Sequence, residues 1–421
     1  MKFHLPASCC FLIFLLLAST ISIAQTHFNP DDIRAGETQE PVYIPPPASF
    51  SEGIRSASFS ITYNGYTTEA QTAFQFAADI WSSLLNSTVS IKVNTYFVPL
   101  VPGLLGITLP NGRKDFTDAP QPNTWYATSL ANSIAGIELN PGEFDFDLYL
   151  NSTTSWYYGV DGNCPGGKYD LVSIVLHEIC HGLGFVGLGK VEGTNGSFGL
   201  LQAADFAPIV TSFPWPDLDT LPGIFDAKLE DASGNFLITF PNPSTELKSQ
   251  FTGNQIYFDG ENALLMNGGV KPRMYAPTTF SLGSSLLHLN ESTYPAGNIN
   301  ELMTPFAGAS NAVHDPGPIV MGILKDIGWN VNYNVGIENI SATETSLTVF
   351  PNPAQNQLQL SYATQFTEQP VQLEIFDVYG RSILKVDKIP PFINIAALLT
   401  GIYFLEMKTQ NKSIRVKFIK S

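Results

Sequence analysis

Apolar residues fall into runs of three different periods along the chain, and each period predicts a different element. The first run is unbroken. CFLIFLLLAST, residues 10–20, follows Lys2 and His4 and precedes the small residues up to Ala24. A spanning helix needs about 20 apolar residues. The shorter run therefore predicts a secretory signal over residues 1–24, cleaved after Ala24, and no later segment is apolar enough to cross a bilayer. Residues 25–57 are polar and rich in proline, and read as an extended lead or short propeptide.

From residue 58 the period becomes helical or alternating. TTEAQTAFQFAADIWSSLLNS places Phe74, Ala77, Ala78, Trp81, Leu84 and Leu85 at helical spacing, with Thr67 or Thr68 as N-cap. FSITYNGY before it, and VSIKVNTYF after it, complete a strand–helix–strand unit. FDFDLYLN, residues 144–151, alternates again and predicts a further strand. KYDLVSIVLHEICHGLG predicts a helix that Asp170 caps and that ends at the glycines. The last segments, TSLTVFPNPAQNQLQLSY, VQLEIFDVYGRSILK and LLTGIYFLEMKTQNKSIRVKFIK, are short alternating strands separated by turns. They predict a small β-sandwich. The fold class expected is an α+β domain over residues 58–335, followed by an all-β sandwich domain over 336–421.

Charge supports that division. The net charge is −16, yet from residue 340 onward eight Lys/Arg stand against six Asp/Glu, net +2. The rest holds thirteen Lys/Arg against thirty-one Asp/Glu, net −18. A body this acidic excludes nucleic acid as the expected partner. Of four cysteines, Cys9 and Cys10 lie in the signal. Cys164 and Cys180 remain, and an even pair in an exported chain suggests one disulfide, the alternative being two buried thiols.

The chemistry sits in LHEICHGLGF, residues 176–185. Positions four apart share a helix face. His177 and His181 can therefore both reach one Zn²⁺ at about 2.0–2.1 Å. Glu178, rotated about 100° from His177, reaches the attacking water and suits a general base. Zinc lowers the pKa of a bound water to about 7, which makes hydroxide available at neutral pH. A catalytic zinc takes three protein ligands and keeps one open position. In the pattern HExxHxxGxxH the third histidine comes six residues after the second. Here Gly184 is present, but residue 187 is glycine. Only His288 and His314 remain outside the signal and lead, and Glu192 lies among glycines off any helix.

The surroundings of His288 carry a resemblance. SLLHLNESTYPAGNINELMTPF brings Met303 in ELMTP fifteen residues after it. With HEICHGLGF, this resembles the metzincin clan of zinc endopeptidases, and more narrowly its leishmanolysin-like branch, in which a long insertion separates the HExxH helix from the third histidine. The resemblance implies His177, His181 and His288 as metal ligands, Glu178 as catalytic base and Met303 as the Met-turn residue beneath the metal. It implies a lobed α+β zincin domain with an insertion over 188–287. The strand at 144–150 would be the sheet edge on which an extended protein or peptide substrate docks. Thr304 and Pro305 follow Met303, so no switching tyrosine is expected. His314 is the second candidate ligand, expected otherwise as a surface loop histidine. Calcium is a further candidate ion from the acidic loops DFTDAP and YFDGEN, although no EF-hand spacing occurs.

VFPNP, IFDVYGR, GIYFLEMKT and the basic VKFIK end resemble the C-terminal sorting domain of the type IX secretion system. That implies the secretion machinery as partner, passage through both membranes, and a secreted or cell-surface location. The expectation is a secreted zinc endopeptidase. The alternatives are a zinc hydrolase acting on a bond other than a peptide, and an inactive adhesin on the same fold. An intact Glu178 argues against the adhesin, because binding needs no base.

Overall fold

The computed structural model describes residues 33–36, 41–51, 53–207, 209, 215, 218–333, 347–362, 372–377, 380–386, 392–408 and 413–421. The signal, with His4, Cys9 and Cys10, and His27 of the lead lie outside the described residues. The chain divides into two compact units, Met1–Tyr333 and Asn334–Ser421.

The first unit is built on a six-stranded sheet. Its strands are β1 (Ile33–Ala35), β3 (Phe59–Asn64), β4 (Ile91–Val98), β5 (Leu104–Pro110), β6 (Phe146–Asn151) and β7 (Phe306–Ala307); β2 (Tyr43–Ile44) lies elsewhere and pairs in parallel with β8 (Ala312–Val313). The order across the sheet is β7-β1-β5-β6-β4-β3. β3, β4 and β6 are parallel, and β5 runs antiparallel to β6.

Helix α1 (Thr68–Leu84) starts where the Thr67 side chain accepts from Ala70 N, and it buries Phe74, Ala77, Ala78 and Trp81. Helix α2 (Thr128–Ala135) ends at Gly136. Helix α3 (Leu171–Gly182) is buried along its whole length. It lies close on β6 because residue 182 is glycine, where a Cβ would fall 2.6 Å from the Phe146 ring. Two indoles bond buried carbonyls of the helix and its C-cap: Trp81 Nε1 donates to Leu176 O at 3.1 Å, and Trp329 Nε1 to Leu183 O at 2.7 Å. Each such bond contributes about 1 kcal/mol. The described residues between 186 and 317 form short hairpins, 3-10 turns and brief helices. The unit then closes with α4 (Pro318–Ile327), whose apolar face completes the core around Trp81 and Phe146.

One expectation is corrected here. The strand at 146–151 is internal, flanked by β4 and β5, and is not the sheet edge. The edge position was implied by the resemblance, not by the alternation. On its half-buried face Asn94 Nδ2 donates to Asp147 Oδ1 at 2.9 Å, and Tyr96 of β4 stacks on Tyr149 at 4.8 Å. The lead pairs with the sheet of the domain. Its residues Ile33–Ala35 form β1, antiparallel to β5 and parallel to β7.

The second unit has two antiparallel sheets. One has the order β9-β10-β13, from β9 (Leu347–Phe350), β10 (Gln357–Tyr362) and β13 (Phe392–Asn394). The other has the order β12-β11-β14-β15, from β11 (Gln372–Asp377), β12 (Ser382–Val386), β14 (Gly401–Lys408) and β15 (Ser413–Lys420). Their facing side chains, among them Leu358, Ile393, Leu373, Leu405 and Phe418, form one core separate from that of the first unit.

Candidate metal centre

The site starts with how α3 begins and ends. Asp170 caps its N-terminus, accepting from Ser173 N at 2.8 Å. At the other end Gly184 has φ +106°, a conformation open to glycine. The turn there swings the Phe185 carbonyl back to His181, whose Nδ1 lies 2.6 Å from it. His177 Nδ1 meets Leu302 O at 2.6 Å, and His288 Nδ1 meets Ser284 O at 2.9 Å. Each ring thus donates from Nδ1 to a carbonyl, which leaves each Nε2 with its lone pair.

Those lone pairs converge. His177 Nε2 lies 3.1 Å from His288 Nε2 and 3.0 Å from His181 Nε2. All three residues are buried, with at most 1% of their surface exposed. Three facing acceptors with no proton between them repel unless a cation sits among them. Tetrahedral zinc at about 2.0–2.1 Å would hold such nitrogens about 3.3 Å apart, so the donor set fits zinc. Among the described residues this trio is the one group of three or more His, Cys, Asp or Glu compact enough to hold an ion; no acidic cluster of calcium type is assembled there.

Met303 lies in the 3-10 turn Glu301–Met303, fully buried in the core. The turn ties two ligand segments together, since Leu302 O receives His177 and Met303 O receives Leu289 N at 2.7 Å. His288 is also held by the backbone, its carbonyl accepting from Tyr275 N at 2.8 Å.

Glu178 is buried against β5. Thr108 Oγ1 donates to Glu178 Oε2 at 2.6 Å. Gly106, two residues earlier on the same face, lies so close that a Cβ would fall 2.5 Å from Glu178 Oε1. Neither residue was evident from the sequence. Their partner is 70 residues away in the chain, and LLGITLP shows no sign of which face meets a helix. Ile107 and Leu109 point to the other face, into a cluster with Trp125, Leu188 and Trp215. A cleft of about 50 Å³ beside Thr108 and His181 opens between these groups.

The remaining candidates lie elsewhere. His314 is fully buried, not on a surface loop, and its Nε2 meets Asp170 Oδ1 at 3.0 Å. It stabilises the capping carboxylate of α3. Glu192 is exposed at a hairpin end. Cys164 and Cys180 are two free thiols, which corrects the disulfide expectation. Cys164 Sγ lies 3.4 Å from Lys168 O, near the start of α3. Cys180 is ten residues beyond the cap, about 15 Å along a helix at 1.5 Å per residue. A disulfide needs Cα atoms within about 7 Å. Burial pushes the Cys180 thiol well above its usual range, and burial with the nearby Asp170 charge pushes Cys164 up to about 11.

The model of the secretion system C-terminal sorting domain (Por_Secre_tail) matches residues 348–421. The second unit is a sorting domain. It directs the protein through the type IX secretion machinery to the cell surface or the surrounding medium. No curated protein matches the chain. Among solved structures, one of PorZ, described as an essential bacterial surface component of the type-IX secretion system of Porphyromonas gingivalis, is 18% identical over 18% of this chain and 11% of its own, with a TM-score of 0.15. At that level the likeness carries no argument about fold or function. The sorting domain accounts for export, and the histidine cluster lies wholly in the other unit.

Proposed function

We propose that the protein is an exported zinc-dependent endopeptidase of metzincin type, with His177, His181 and His288 as ligands and Glu178 as general base. The observation that carries this reading is the convergence of three Nε2 atoms beside a buried glutamate that Thr108 orients. Zinc, when bound, lowers the pKa of a water to about 7 and polarises the scissile carbonyl. Glu178 takes the proton of the attacking water and delivers it to the leaving amine. The Thr108 hydroxyl holds the carboxylate in one rotamer, and Gly106 leaves room for it.

The sheet supplies the way to hold a peptide. β5 is antiparallel to its neighbours, and the face of Gly106 packs directly on Glu178. The strand lying there is β1, with Ile33 opposite Gly106, Arg34 N donating to Pro305 O at 3.0 Å and Ala35 N to Gly103 O at 3.0 Å. This is strand addition, the mode by which extended peptides are recognised. It favours a peptide over another zinc-hydrolase substrate, and Glu178 disfavours a purely adhesive role. β1 then occupies the substrate path, and the lead acts as an internal competitor.

The test is hydrolysis of a quenched fluorescent peptide library by the purified exported chain. Cleavage is expected, lost on treatment with a zinc chelator and restored by added Zn²⁺. Absence of cleavage by the zinc-loaded protein with β1 displaced would reject the reading.

A further inference from the structure

A cavity of about 560 Å³ lies between the first turns of α3, the turn at Glu301–Thr304 and strands β1 and β7. Ile33, Ile174, Leu302 and Val313 give it apolar walls. Its lining residues also carry polar atoms. Asp170 Oδ2, Glu291 Oε2, Glu301 Oε1 and Asn311 Oδ1 all belong to lining residues, and all four are buried with no partner among the described residues. Asp170, Glu301 and Asn311 are 1%, 7% and 7% exposed. Among the described residues no lysine or arginine lines the cavity.

A buried acceptor without a donor costs about 1–3 kcal/mol, and more when it is charged. Four in one cavity are unlike a pocket made for an apolar group. Burial raises the carboxyl of Glu291, and burial with the Glu291 charge nearby raises that of Glu301 to about 7. The side chains that β1 turns toward the cavity, Ile33 and Ala35, carry no donor. A small cation does not fit the oxygens either, because these carboxylates do not form a compact ligand group as the histidines do.

We propose that this cavity receives the lysine or arginine side chain of the substrate residue that follows the scissile bond, an inference that rests on the peptidase reading. An aliphatic stem would lie along Ile174, Leu302 and Val313, and the donor head would reach the oxygens. The position follows from direction. β1 starts opposite Gly106, beside Glu178, and runs away from it to Gly36, whose N donates to Ala307 O at 2.7 Å. A peptide on the same path places its first residue past the base where Ile33 stands, above the cavity.

Two readouts test this with the full exported chain. The first is the ratio of kcat/KM for peptides that differ only in Arg, Lys, Leu or Glu at the residue after the cut. The second is calorimetric binding of the same peptides to Glu178→Gln protein, which needs no turnover. Displacing β1 adds the same cost for every peptide and cancels in the ratios. Arg and Lys are expected to exceed Leu at least tenfold in both readouts, and Glu301→Gln to bring the ratio toward one while Leu peptides bind as before. Leu equal to or better than Arg overturns the proposal. Basic preference in binding with no hydrolysis of any peptide supports the cavity and removes the peptidase reading. Hydrolysis without basic preference does the reverse.

Discussion

Glu178→Gln is expected to lower kcat by about 10²–10⁴-fold, the usual contribution of a positioned general base, while the protein keeps its fold and its metal. The substitution is isosteric, and the amide oxygen can still accept from Thr108 Oγ1, which now lies 2.6 Å from the carboxylate. The imidazoles do not depend on it, because each is fixed through Nδ1 by a carbonyl of Leu302, Phe185 or Ser284. What is lost is an acceptor basic enough to hold the water's proton. Steady-state hydrolysis of one cleaved peptide, with metal content measured on the same sample, checks this. Undiminished turnover with full metal content would mean that Glu178 is not the base.

Arg34→Pro is expected to raise kcat/KM about tenfold or more. Proline has no N–H, so the bond from residue 34 to Pro305 O is lost, and the ring is excluded from a strand paired on both sides. Weakening β1 by about 1.4 kcal/mol frees the path in tenfold more molecules. The fold of the rest should persist, since β1 contributes three residues to the sheet and, of these, Ile33 alone to the core that holds α3. The check is kcat/KM beside thermal unfolding for both proteins. Lower activity with a lower Tm would show β1 to be a structural strand and not a competitor.

Much of the site was legible because its chemistry is local. Asp170 as N-cap, the shared face of His177 and His181, and Gly184 as helix stop all follow from residues within one turn of each other. His288 is a different case. It reaches the helix through Leu286 at φ +76° and through backbone bonds to Tyr275, which no spacing rule reveals. Only the resemblance around ELMTP singled it out. Thr108, Gly106 and the acceptors of the cavity were invisible, because each acquires its role from a strand or loop distant in sequence. The misread edge strand has a similar cause. The resemblance alone implied that position, and the strand is internal because β4 and β5 pair with it on both sides, which its own residues do not show. The pairing of the lead was not legible, because three residues of β1 are too few for alternation to show.

The central claim is that three imidazoles, one of them 107 residues beyond His181 in the chain, hold a single zinc ion. Metal analysis of the purified chain after dialysis against trace zinc tests it most directly, with His288→Ala alongside. One equivalent of zinc is expected in the wild type, and affinity at least tenfold weaker in the variant at unchanged secondary structure. Equal zinc retention by both proteins, or none in either, would contradict it.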